Sequence, residues 1–177
     1  IRTHEMSTGE LGTWLALSSG LLGAVGILFG GIIADRLAPR DKRWYMWVPA
    51  IVGFIGVPFF VVVFLTDSKY TALILSCIPG TLINVYLGNS IATAHALVGA
   101  RMRAMASAIL FFILNLIGLG MGPSAVGFLS DYLAPSLGGE SLRYAMVYLI
   151  PAALFWSSCH FLLAVRHLRA DLEIAPD

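Results

Sequence analysis

"GGIIADRLAPRDKRW", residues 30–44, decides the fold. Residues 11–34 carry no Asp, Glu, Lys or Arg; six charges then fall within positions 35–43; residues 44–66 carry none again. A short charged knot between two long apolar runs is what a chain shows when it leaves a bilayer, turns in water and re-enters. The rest of the 177 residues repeats the pattern, with further charge-free runs at 70–100, 104–130 and 144–165. Each exceeds the roughly 20 residues a helix needs to cross a hydrocarbon core. Only 12% of the chain is charged, about half the share usual in soluble domains, and mean hydropathy is +0.84. One buried helix could account for one such run, but five leave too little polar surface to cover a globule. The expectation is an all-α membrane protein with five transmembrane helices, at about 11–34, 44–66, 70–98, 104–130 and 144–165.

Lys and Arg orient the bundle. Arg36, Arg40, Lys42, Arg43, Arg101, Arg103, Arg166 and Arg169 lie on one side; Arg2, Lys69 and Arg143 lie on the other. The positive-inside rule places the first set, and the C-terminus, in the cytoplasm. The compact loops suit a bacterial inner membrane. The first run is too long for a signal peptide and follows acids, not a basic cluster. An outside N-terminus and an initial Ile lead us to expect at least one further helix upstream. Asp67-Ser68-Lys69 reads as a tight outer turn, and residues 131–143 as the longest loop, with Pro135, Gly138 and Gly139 as turn residues.

Polar and small residues inside the spans are the candidates for function. Gly12, Ala16, Ser19, Gly23, Gly26 and Gly30 fall on one helical face, which suits close helix packing in lipid or a sliding contact. Gly118, Gly120 and Gly122 repeat the theme before Pro123, which removes a backbone donor and should kink the fourth span. In the third span Tyr86, Asn89 and Thr93 share one face; Asn84, Gly88, Ala92 and His95 share another. Asn115 is a similar case in the fourth. Polar groups at membrane depth usually face the bundle interior or a water-filled cavity, so helix-to-helix hydrogen bonds and a solute pathway both remain open. Tyr144 and Tyr148 suit the membrane interface. His95 and His160 could relay protons; no Asp or Glu lies inside a span. Cys77 and Cys159 read as packing residues. Nucleophile elbow, metal-ligand spacing and phosphate loop are lacking, so neither an enzyme nor a metal or cofactor is expected, and nothing points to nucleic acid.

The knot resembles the G-x-x-x-D-R-x-G-R-R signature of the major facilitator superfamily. Gly31, Asp35, Arg36 and Arg40 match; Ala38 and Pro39 depart from it, as the looser second copy of the signature does. "HEMSTGELG", "ARMRAMASAI", "GLGMGPSAVGFLSD" and "ESLRYAM" look like the spinster-like branch. The resemblance implies helices eight to twelve of a twelve-helix transporter, most of its C-terminal six-helix half. It further implies a cytoplasmic gate latch at the knot, with Asp35 facing a helix of the N-terminal half. Its implied partners are a small amphipathic or lipid-like solute, membrane lipid, the N-terminal half and a coupling proton. A half-size subunit that acts by pairing is the competing expectation.

Overall fold

A computed structural model describes residues 7–176; Arg2 and the first residues of "HEMSTGELG" lie outside them. The described residues are almost wholly helical: α1 (Thr8–Leu15), α2 (Leu22–Leu37), α3 (Trp44–Leu65), α4 (Lys69–Leu82), α5 (Val85–Ala96), α6 (Arg103–Ile113), α7 (Gly122–Leu137) and α8 (Ser141–Glu173). π-helical stretches, Ala16–Leu21 and Leu114–Met121, join α1 to α2 and α6 to α7. Four stretches are long and apolar enough to cross a membrane: Thr8–Leu37, Trp44–Leu65, Lys69–Ala96 and Ala100–Glu173. The last reverses at Gly138, whose φ of 53° only glycine adopts freely. Ser130 and Ser141 hydroxyls then meet at 3.2 Å across the hairpin. Five membrane-length arms result, the expected all-α architecture.

The chain starts its first helix with a capping serine. Ser7 Oγ accepts from the Glu10 amide at 3.2 Å, satisfying a donor that the first turn leaves orphaned. Along the third arm, the helix breaks at Ile83-Asn84. There the Asn84 amide N–H turns to the Thr81 carbonyl, and the Asn84 side chain donates to the Gly80 carbonyl at 2.8 Å. The side chain replaces the bond that the backbone gives up. This break was not foreseen for a span of 70–98.

Two further expectations are corrected. Residues 131–143 are not a long loop: α7 continues through Pro135 to Leu137, and only Gly138–Glu140 turn. Pro135 sits in the last turn of α7, and Gly138 supplies the reversal. The last helix does not stop at 165 but runs to Glu173, because Leu168 still packs with Val165 against Met46.

The core lies where α3 packs on α8 and α2 packs on α4 and α5. Phe54 and Phe155 meet edge to face at 5.4 Å. A Cβ on Gly53 would strike the Ser158 hydroxyl. Large apolar side chains such as Leu28, Phe112 and Phe128 point outward, as a lipid-facing surface requires.

Candidate functional site

The knot is held by short-range bonds. Asp35 ends α2 and Tyr45 opens α3; the Tyr45 hydroxyl donates to Asp35 Oδ1 at 2.7 Å. Asp41 accepts from the Arg43 amide at 2.9 Å and from its guanidinium at 2.9 and 2.7 Å. That guanidinium, with the Arg43 amide, holds the Asp41 carboxyl below the usual carboxylate range. Arg36 and Arg40 are exposed, and neither forms an ion pair among the described residues. Gly31 has open space where a Cβ would stand. The motif therefore offers two free cations, and a carboxylate with one partner inside the chain. Sequence reasoning looked for a partner of Asp35 outside the chain and missed Tyr45; a Tyr opening the next span on the same side was the available signal.

The third arm's polar residues do not form one open row. Asn84, at the helix break, lies against Gly23 of α2. Tyr86 tilts against Phe161 of α8, centroids 6.4 Å apart. Asn89 is fully buried; its amide donates weakly to the Val85 carbonyl at 3.3 Å, and its Oδ1 has no partner. Thr93, one turn on, also has a buried oxygen without a partner. Buried orphans of this kind are costly, and these two stand one turn apart on α5. His95 Nε2 lies 2.6 Å from Ser107 Oγ on α6, tying the two helices together. Asn115 is exposed in the π-helical stretch and donates to the Phe111 carbonyl at 2.7 Å.

The small-residue face divides. Gly23, Gly26 and Gly30 are buried against Asn84, Thr81 and Val85, and Gly80 meets the Ser18 backbone. Gly12, Ala16 and Ser19 are exposed, while Ser18 is buried. The π-helical turn, wider than an α-turn, shifts the register between the two groups, so the single stripe of six does not exist. Gly118 and Gly122 meet nothing within 4 Å. Pro123 begins α7 directly after the second π-helical stretch, so the disruption expected at the proline takes the form of a widened helix on its N-terminal side. An apolar groove of about 690 Å³ opens beside it, walled by Ile117, Met121, Pro123, Met146 and Ile150.

The opposite end holds a cluster that sequence reasoning did not single out. Arg143 donates to the Phe64 carbonyl at 2.6 Å, to Asp67 at 2.7 Å and to Glu140 at 3.0 Å. Lys69 pairs with Glu10 at 2.7 Å. These bonds tie α8 to the end of α3, and α4 to α1.

The chain is 35% identical over 176 residues to an MFS-type efflux pump of Mycolicibacterium smegmatis, a match covering 99% of this chain and 41% of that protein. Its fold overlays a bacterial homologue of the human lysosomal transporter spinster, inward-facing and unoccupied, with a TM-score of 0.76 and 25% identity. That overlay covers 96% of this chain and 43% of the other. An inward-facing, occupied structure of a bacterial spinster homologue gives 0.66 and 22% identity over 96% and 42%. No family model matches the chain. The chain thus spans about two-fifths of the length of the relatives it matches. With the sequence match, the helix order and the overlay in agreement, the chain belongs to the major facilitator superfamily and resembles its spinster-like members.

Proposed function

We propose that this chain is the C-terminal helical domain of a secondary active transporter that moves an amphipathic small solute by alternating access. The observation that carries the reading is the 35% identity with an efflux pump along nearly the whole chain. Major facilitator proteins rock two halves about a central substrate site, and the chain leaves a face for the other half. The arm from α6 through α7 is unburied along its most apolar stretch. Its walls are apolar with few polar groups, which favours a solute with a large apolar part. The relative's name favours outward movement. The basic knot and the α8 tail sit in the cytoplasm of a bacterial inner membrane, and Asp35, Arg36 and Arg40 latch that side against the N-terminal half. A coupling proton would ride on a carboxylate of that half, since the charge-free middles of the spans, such as residues 11–34 and 104–130, carry none.

Asp35→Asn in the intact protein tests this. A pair at the aqueous edge contributes ~1 kcal/mol, so the inward–outward equilibrium shifts about fivefold. Transport in vesicles falls accordingly while membrane abundance holds. Unchanged transport removes the latch. The mass of the native polypeptide in source membranes separates the transporter from a self-standing five-helix subunit: a band near 19.0 kDa would favour the subunit.

A further inference from the structure

The knot and the α8 tail enclose a groove that shares only Arg40 with the proposed latch. Two adjoining hollows, of about 230 and 410 Å³, share Lys42 and Leu172. Lys42 and Arg40 line it from the knot, and Arg169 from the tail. Neither Lys42 nor Arg40 forms an ion pair among the described residues. Two acids share the lining, and both have partners. Asp41 is bound through both oxygens by Arg43. Glu173 lies 3.7 Å from Arg169, both side chains about three-quarters exposed at 71% and 74%. Such a pair is weak and leaves most of the guanidinium donors free. The inner hollow has an apolar side at Leu168 and Leu172.

We propose that this groove binds the phosphodiester headgroup of an anionic membrane lipid. Lys42, Arg40 and Arg169 converge on the phosphate, and Leu168 and Leu172 lie beneath the glycerol and first methylenes. Basic pockets at helix ends capture such headgroups through charge and proximity to the bilayer surface. The groove stands where two apolar arms, α2 and α3, reach their charged ends. The apolar side selects a lipid over a free phosphate ion, which has no use for it. The site is distinct from the proposed solute path, so it stands or falls on binding and not on transport.

Native mass spectrometry of the intact protein in detergent, with phosphatidylglycerol or phosphatidylcholine added, tests it. The expected result is retention of phosphatidylglycerol and not phosphatidylcholine. Lys42→Gln with Arg169→Gln lowers retention roughly tenfold or more, whereas Arg101→Gln with Arg103→Gln, exposed at the same end, changes little. Where the first pair fails to yield folded protein, Lys42→Gln alone gives the same reading with a smaller drop. Equal retention by the Lys42/Arg169 variant overturns the proposal. So does an equal loss in the Arg101/Arg103 variant, which would mean diffuse charge attraction. Complete displacement by millimolar inorganic phosphate would also overturn it, in favour of a free-ion site.

Discussion

Gly23, Gly26 and Gly30 on α2, three and four positions apart, and Gly118, Gly120 and Gly122 around the second π-helical stretch, two apart, have opposite surroundings. At the first set the backbone of α2 lies against α4 and the start of α5, so close that a Cβ on Gly26 would collide with the Thr81 carbonyl. At the second set a Cβ on Gly118 or Gly122 would meet no other element of the described residues within 4 Å. The first glycines allow two backbones to touch, the main source of helix association where lipid tails are as apolar as side chains. The second loosen a helix that has already widened into a π-helical stretch. One residue type therefore meets close backbone contact on one side of the bundle and open space on the other.

The sharpest way to break this contrast is Gly26→Ala. The added methyl meets a backbone carbonyl and cannot be accommodated by a rotamer change, so α2 and α4 must separate. Overpacking of this kind costs about 3 kcal/mol. The thermal midpoint of the intact protein in detergent should fall by many degrees, or folded protein should be lost. A midpoint within a degree or two of wild type would mean that the two helices do not touch there.

Next in size is the Arg143 cluster, which ties α8 to the end of α3 opposite the knot. Arg143→Gln removes charge-assisted bonds to Asp67 and Glu140 and the contact with the Phe64 carbonyl. A largely buried cation, 17% exposed, with three acceptors should contribute about 2 kcal/mol. Asp67→Asn should cost far less, ~0.5 kcal/mol, because that carboxylate is 92% exposed. Comparing the two midpoints checks the ranking. Equal losses would show that the Arg143–Asp67 pair, and not the carbonyl contact, holds the end together.

How far the sequence could be read follows from the same places. Segregated charge was enough for the helices and their order, because solvation by lipid or water is decided residue by residue along the chain. The knot was legible as a motif, and its Asp35 and Arg36 stand at the end of α2 as expected. Asn84 could be seen as polar but not as the side chain that repairs a helix break, since that depends on where Gly80 loses its donor. The stripe from Gly12 to Gly30 was drawn with one period, and the π-helical turn at Ala16–Leu21 changes that period midway. Arg143 looked like a topology charge because two of its three acceptors lie 76 and 79 positions away, beyond any local pattern.

Gly118→Ala should produce the smallest change, with the opposite sign. Open space surrounds the site, so the methyl meets no atom of this chain. Replacing glycine inside a helix reduces the freedom of the unfolded chain and favours helical backbone, by about 0.5 kcal/mol. Stability of the intact protein should rise slightly. If the widened stretch bends as the two halves rock, the same methyl should slow turnover severalfold by stiffening it, leaving abundance unchanged. The two readouts move in opposite directions only if Gly118 serves adaptability. A large loss of stability would instead place a helix backbone from the rest of the transporter against Gly118, making it a second Gly26 and erasing the distinction between the two sides.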